Sequence, residues 1–266
     1  MIKKVDLINY LESFYPFEKA ELWDKVGFSF LSKNLKQIKK ILICLDFDFE
    51  AFEKVMKNDI DLIITHHPFY FEDTLEEEFL KNPYKSKIES VFKKLNNKSI
   101  YTLHTNFDNH FEGTSYLIAE QLGYTNFLKT NNNQAVITKV NENFKDIVDK
   151  IKSSFNFTYV ISNLKETDEI VKTKKTWKIA IFAGAGDINL INQFKDNYDF
   201  DLLITSDLKW NTLISLASNQ KEINYLIVPH KIEEVFIAKI ETLLKEKFSN
   251  KLEIFTYYSK VDNFSY

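Results

Sequence analysis

Asp61-Leu-Ile-Ile-Thr-His66-His67-Pro68 is the stretch of this 266-residue chain from which the fold class follows. The apolar run at residues 62–65 predicts a buried strand, and Pro68 ends it because proline lacks the backbone N–H that a central strand donates. Residues 101–110 and 225–234 have the same character, and all five histidines of the chain fall in these three segments. In an open α/β sheet, the carboxyl ends of parallel strands converge on one ligand crevice.

Apolar strands alternate with amphipathic helices along the whole chain, which predicts an α/β fold with parallel sheets covered by helices. Strands are predicted at 40–47, 62–65, 99–103, 135–140, 157–161, 177–182, 202–205, 225–228 and 252–257, and helices at 5–15, 49–57, 85–95, 114–122, 144–153, 187–197, 210–218 and 232–248. Residues 69–82 and 162–176 are interpreted as loops. The acidic run Glu76-Glu77-Glu78 is interpreted as the solvent-exposed start of a helix.

The polar run from Lys129 to Gln134 has the composition of a turn and separates two halves of similar rhythm. A chain of this length can form one large domain or two modest ones, each with its own core. We therefore expect an N-terminal α/β lobe at 1–128 and a C-terminal α/β lobe at 129–266, with a cleft between them.

Composition limits the classes of function. The net charge is −3 and the chain has no arginine, so it lacks a basic stripe and nucleic-acid binding is not expected. Cys44 is the single cysteine, which fits a reducing cytoplasm. The N-terminus has no continuous apolar segment of a signal peptide, and no apolar run approaches the roughly 20 residues that span a bilayer. We expect a cytoplasmic protein without a membrane partner.

The strand-end residues have the donor atoms of a transition-metal site. His66 and His67 are adjacent and, because Pro68 ends the strand, both rings could turn into one cleft. Asp108 follows the third predicted strand and could ligate directly. His104, at the end of that strand, could ligate or could orient a ligand from behind. Imidazole and carboxylate together suit zinc, iron, manganese, cobalt and nickel.

The last histidine segment adds a second group of candidates. His230 and Glu234 are four residues apart and would share one side of a helix that begins near Lys231. Asp207 and Lys209 follow the strand at 202–205. Asp207 is a candidate proton acceptor or an outer partner of a ligand, and Lys209 is a candidate for binding a phosphate or another anion. His110 is the one histidine left over, and Gly184-Ala185-Gly186 is interpreted as a tight turn after a strand.

Several motifs resemble those of the Nif-three-like family, often described as type 2 homologues of GTP cyclohydrolase I. The similarity lies in Trp23-Asp24-Lys25-Val26-Gly27, His66-His67-Pro68, His104-Thr-Asn-Phe-Asp108, Thr205-Ser-Asp207-Leu-Lys209 and Pro229-His230-Lys-Ile-Glu233-Glu234. The chain departs from the family pattern by Ser206 for glycine, Pro229 for glycine and Glu233 for threonine. These departures leave the ligand candidates intact and affect their neighbours.

The resemblance implies two α/β lobes of the Nif-three-like fold, a metal cleft between them, two divalent ions per subunit and assembly into a hexameric ring. Carried over by position, the implied ligands are His66, His67, Asp108, His230 and Glu234. We expect His67 and Asp108 on one ion, His66 and His230 on the other, and Glu234 between them. Glu234, Asp207 and His104 are the candidates for a catalytic role.

The leading hypothesis is a metal-dependent hydrolase of the GTP cyclohydrolase type, which acts on a nucleotide such as GTP through metal-activated water. The purine substrate is implied by the family's name alone. The alternative is a non-enzymatic, metal-binding regulatory or scaffold protein. A metallo-phosphodiesterase or nuclease is a third possibility, disfavoured because the chain lacks a basic stripe.

Overall fold

The computed structural model describes residues 1–128, 130, 133–218 and 223–260. In chain order its strands and helices are β1 Ile2–Lys3, α1 Lys4–Phe14, β2 Gly27–Phe30, β3 Gln37–Ile38, β4 Lys40–Cys44, α2 Phe49–Asn58, β5 Leu62–Thr65, α3 Leu75–Lys81, α4 Pro83–Leu95, β6 Ser99–Thr102, α5 Thr105–Asp108, α6 Thr114–Gln121, β7 Phe127–Leu128, β8 Ala135–Val140, α7 Phe144–Phe155, β9 Ile161–Ser162, α8 Glu169–Thr173, β10 Trp177–Phe182, α9 Ile188–Tyr198, β11 Leu202–Thr205, α10 Trp210–Ser218, β12 Asn224–Ile227, α11 Val235–Phe248 and β13 Glu253–Tyr257. Short 3₁₀ helices span Phe17–Lys19 and His230–Glu234. Within these ranges, no helix has the length and the apolar character needed to cross a bilayer.

The chain forms two compact α/β units, as the sequence predicts for the fold class. The first contains residues 1–110 and 234–260, and the second contains residues 111–233. The boundary predicted after residue 128 falls at Lys129, which lies outside the described residues, and it stays a prediction.

The first unit is built on a five-stranded sheet in the order β13-β4-β5-β6-β2. Strands β4, β5 and β6 are parallel, as predicted. Strand β13, which was predicted as a strand of the C-terminal lobe, runs parallel to β4, and β2, which was not predicted, runs antiparallel to β6. Every residue of β5 and β6 is buried. Each large apolar side chain removed from water contributes roughly 1.5–3 kcal/mol to the free energy of folding, so burial of these two strands strongly stabilises the unit.

The second unit contains a six-stranded sheet in the order β7-β8-β10-β11-β12-β9. Its parallel core is β10-β11-β12, and β8 and β9 join it antiparallel. The strand predicted at 157–161 is wrong, because pairing begins only at Ile161. Phe157 is buried and its ring stacks on that of Phe155 with centroids 5.5 Å apart, so its apolar character reflects packing rather than a strand.

The expectation of a solvent-exposed acidic run is wrong at Glu78. This side chain is fully buried in the segment predicted to be a loop, which contains α3. Its carboxylate accepts hydrogen bonds from Phe71 N at 2.5 Å and Glu72 N at 2.9 Å, and from Lys85 Nζ at 2.6 Å. Burial raises the pKa of Glu78, but the bonds from Lys85 and the two backbone amides outweigh burial and hold the pKa below its usual range.

We predict that Glu78→Gln lowers the free energy of unfolding by about 3 kcal/mol at neutral pH, because it leaves the buried ammonium of Lys85 without its counter-charge. The measurement is urea denaturation followed by circular dichroism. Glu76→Gln is the matched control, since Glu76 is exposed on the same helix.

The difference between wild type and Glu78→Gln should depend on pH with a definite sign. The folded pKa lies below the unfolded value of about 4.5, so the stabilisation is complete above that value. It is lost as the pH falls through the folded pKa. A difference that stayed constant from pH 7 to the acid transition would contradict the role of the ionised carboxylate.

Candidate functional site

Three histidines of the first unit meet where β5 and β6 end. His66 and His67 follow β5, and His104 follows β6. One ring nitrogen from each of the three lies within 4.8 Å of the others. The ring centroids are 5.2 Å apart for His66–His67 and His66–His104 and 5.5 Å apart for His67–His104. The structure therefore brings together the two predicted ligands and the third histidine, for which ligation and orientation were both left open.

Each of the three rings has its Nδ1 atom bound to an oxygen at 2.8 Å. The partners are Leu103 O for His66, Asp46 Oδ1 for His67 and Asp24 Oδ1 for His104. A carbonyl oxygen can only accept, so Nδ1 of His66 carries a hydrogen and Nε2 is the ring nitrogen left to ligate a metal. Histidines that ligate metals commonly donate their other N–H to a carboxylate or a carbonyl in this way.

Asp108 adds a carboxylate to the cluster. Its Oδ1 lies 3.5 Å from Nε2 of His66. Helix α5 positions it, since Asp108 N donates to His104 O at 3.0 Å and the two residues are one turn apart. Metal–nitrogen bonds of about 2.1 Å hold ligand atoms up to about 4.2 Å apart, so a small closure of the rings would bring them onto one ion. This donor set fits a divalent transition metal.

Asp24 and Asp46 were not identified as site residues from the sequence. Asp24 also accepts from Thr105 N at 2.9 Å, and its side chain is fully buried. Burial raises the pKa of Asp24, but hydrogen bonds from His104 and Thr105 outweigh it and lower the pKa to about 2. The Trp-Asp pair that carries the family resemblance was the available signal for Asp24. Asp46 lies just beyond β4, in a segment predicted to be strand.

The second unit contains a group of titratable side chains around His230. Its Nδ1 lies 2.5 Å from Asp207 Oδ2 and its Nε2 lies 2.9 Å from Glu233 Oε2. Burial lowers the pKa of His230, but the hydrogen bonds to Asp207 and Glu233 outweigh it and raise the pKa to about 11. The ring is therefore held as an imidazolium between two carboxylates, and it would have to give up a proton to ligate a metal.

Glu233 provides a carboxylate beside His230, and the sequence analysis did not name it as a ligand. The residues from His230 to Glu234 form a 3₁₀ helix instead of the predicted α-helix, and a 3₁₀ helix aligns side chains three residues apart. Glu234 belongs to the first unit, where its Oε1 accepts from Ser259 N at 2.8 Å. A role for Glu234 as a metal ligand stays a prediction.

The predicted tight turn at Gly184 makes room for Glu233. Gly184 has a φ of +67°, and a Cβ atom there would lie 2.8 Å from Glu233 Oε1. The turn is fixed by two hydrogen bonds of 3.0 Å to Gly184 O, from Thr205 Oγ1 and Ser206 N. Glycine is therefore required both by the backbone conformation and by the close approach of the carboxylate.

Two further residues were named in the sequence analysis, Lys209 and His110. Lys209 is exposed after β11, and its anion-binding role stays a prediction. His110 packs edge-on against the ring of Tyr15, with centroids 5.2 Å apart, and this contact is one of structural packing.

The sequence matches the family model described as Duf34/NIF3 (NGG1p interacting factor 3) over residues 2–263. A protein of Mycoplasmopsis pulmonis named GTP cyclohydrolase 1 type 2 homolog is 33% identical over 252 residues, which cover 94% of this chain and 96% of that relative. A relative of the same name from Clostridium perfringens is 29% identical over 279 residues and is covered in full, as is this chain.

The fold is similar to that of solved structures. Staphylococcus aureus hypothetical protein SA1388 superposes with a TM-score of 0.82 at 21% identity, over 100% of this chain and 99% of that one. Reduced HcgD from Methanocaldococcus jannaschii has a TM-score of 0.77 at 23% identity, over 96% and 97% of the two chains. The family-model match spans nearly the whole sequence and confirms the resemblance of the motifs: the chain belongs to the Duf34/NIF3 family.

Proposed function

We propose that this protein is a metal-dependent hydrolase of the GTP cyclohydrolase 1 type 2 class, acting on a nucleotide such as GTP. The observation that carries the proposal is the histidine cluster of the first unit, in which Nδ1 of all three rings is bound to an oxygen and one nitrogen per ring converges. The name of the relatives, GTP cyclohydrolase 1 type 2 homolog, supports the class of reaction and the class of substrate.

The proposal includes two divalent cations per subunit, drawn from zinc, iron, manganese, cobalt and nickel. The residues proposed to hold them are His66, His67, His104 and Asp108 in the first unit, and His230 with Glu233 in the second, with Glu234 retained as a further candidate. Bound ions would supply a Lewis acid and would lower the pKa of a water molecule.

The other residues of the two groups orient the ligands or handle protons. Asp24 and Asp46 fix the rings of His104 and His67 through Nδ1. Asp207 holds Nδ1 of His230, and its side chain is 66% exposed, so it can exchange a proton with solvent or substrate. Lys209 is proposed to contact a phosphate group. We also propose a homohexameric ring in the cytoplasm, as the resemblance and the lone, buried Cys44 indicate.

A second candidate function is that of a metal-binding regulatory or scaffold protein. The observation that favours it is the description of the family itself, NGG1p interacting factor 3, which refers to a protein partner. In that case the metal would stabilise a binding surface and its ligands would complete the coordination shell, whereas a hydrolase keeps one position for water.

We predict that Asp46→Asn weakens zinc binding by the first unit about 10- to 100-fold, because it removes the charge that orients His67 and increases its basicity. Competition with a chromophoric chelator measures the affinity. Asp73→Asn is the control, since it removes the same charge from a side chain that is 97% exposed. Equal affinities of Asp46→Asn and wild type would exclude His67 as a ligand oriented in this way.

The hydrolase proposal is tested by incubating the metal-loaded protein with GTP and following ring opening by absorbance and chromatography. We expect turnover that is abolished by a chelator, restored by added metal and absent in Asp108→Ala, which loses a carboxylate ligand. Glu76→Gln should behave as wild type. If the metal-loaded protein turns over no nucleotide, the hydrolase proposal is wrong and the regulatory function becomes the better account.

A further inference from the structure

Two aromatic side chains stand exposed beside the histidine cluster. Trp23 is 60% exposed and Phe71 is 55% exposed. The ring centroid of Trp23 lies 6.0 Å from that of His104 and 6.3 Å from that of Phe71. Large aromatic rings contribute most to stability when they are buried, so an exposed pair next to a candidate metal site calls for another explanation.

The two aromatic neighbours of Trp23 are not oriented parallel to its indole ring. His104 approaches Trp23 edge-on at an interplanar angle of 78°, and Phe71 is tilted at 58°. Within the described part of the chain these are the aromatic neighbours of Trp23, and neither lies parallel to it. Neither neighbour is therefore stacked parallel on the indole, more than half of which is exposed.

The backbone on the Trp23 side is fixed. The neighbouring Asp24 accepts from Thr105 N and from the ring of His104. Glu21 N donates to Thr105 Oγ1 at 2.9 Å. The carboxylate that orients His104 is thus adjacent in sequence to the indole, so the position of Trp23 is tied to that of the candidate ligand.

The backbone on the Phe71 side is fixed from the other direction. Phe71 N and Glu72 N donate to the buried carboxylate of Glu78. The ammonium of Lys25 donates to Glu72 O and so joins this segment to the segment that carries Trp23. Both rings are therefore exposed on ordered backbone, which lowers the entropy cost of binding a ligand.

We propose that Trp23 is the stacking surface for a planar heteroaromatic ring of the substrate, with Phe71 as its lateral support. The inference rests on the proposed function in one respect, namely that the ring belongs to the molecule on which the metal site acts. Stacking of a base on an aromatic side chain is tolerant of the identity of the base. The class of ligand is therefore a nucleobase or a similar flat heterocycle, and His104 and the cluster lie at the edge of the ring.

The experiment measures binding of three probes to the full-length, metal-loaded protein: guanosine, GTP and inorganic tripolyphosphate. Trp210→Phe serves as the background for fluorescence, because Trp210 is 76% exposed in the second unit and Trp177 is buried. We expect guanosine and GTP to quench Trp23 and tripolyphosphate to leave it unchanged. Trp23→Ala should weaken binding of guanosine and GTP about 10- to 100-fold, and Trp23→Phe should weaken it less.

The matched control is Trp210→Ala, which removes an even more exposed indole from the other unit and should leave the affinities unchanged. Light scattering of Trp23→Ala tests whether the pair is instead an interface between copies of the chain. A change of oligomeric state with unchanged affinity for guanosine overturns the proposal. So does wild-type affinity of Trp23→Ala for guanosine and GTP.

The stacking proposal and the hydrolase proposal can be contradicted independently of each other. Trp23-dependent binding of guanosine without turnover of any nucleotide supports the stacking surface and contradicts the hydrolase. Turnover of GTP with the same KM in Trp23→Ala and wild type supports the hydrolase and contradicts the stacking surface.

Discussion

The candidate metal site of the first unit depends on the register between β5 and β6, in which Thr65 lies opposite Thr102. The two hydroxyl groups are 3.0 Å apart, and Leu103 N donates to Thr65 O at 2.9 Å. Because of this register, His67 and His104 follow the sheet at the same level, and His66 precedes that level by one residue. A slip of one residue would turn every side chain of a strand to the opposite face and would separate the histidines. The buried hydroxyl pair thus has a role in positioning ligands as well as in packing.

The central strands were predictable because each is a short, continuous apolar run that is buried on both faces. The bounds predicted for β5, β8, β10 and β11 are those observed. The edges of the sheets were not predictable in the same way. Strand β2 is only partly buried and β9 has two residues, so neither has the apolar run that marks a buried strand. Their antiparallel direction is set by tertiary contacts that no local pattern encodes.

The same distinction applies to the candidate site. His66, His67, His104 and Asp108 were predictable because they end strands or follow them by one helical turn, and strand ends meet in space. Asp46 was missed because an acidic residue just after a strand resembles any exposed residue. Glu233 was missed because its position depends on a 3₁₀ rather than an α-helical turn. Glu78 was missed because burial of one acid within an acidic run depends on Lys85, seven residues away.

The discontinuous make-up of the first unit has a consequence for the order of events during biosynthesis. Strand β13 pairs with β4, so that Tyr257 lies opposite Cys44. Met1 N also donates to Lys251 O at 2.9 Å, which brings the amino terminus to the last part of the described chain. His66, His67 and His104 are therefore synthesised long before β13, the strand that pairs with β4. The second unit, residues 111–233, can fold before β13 is synthesised, and until then the edge of β4 that pairs with β13 is unpaired. Pairings between residues so far apart in sequence form slowly.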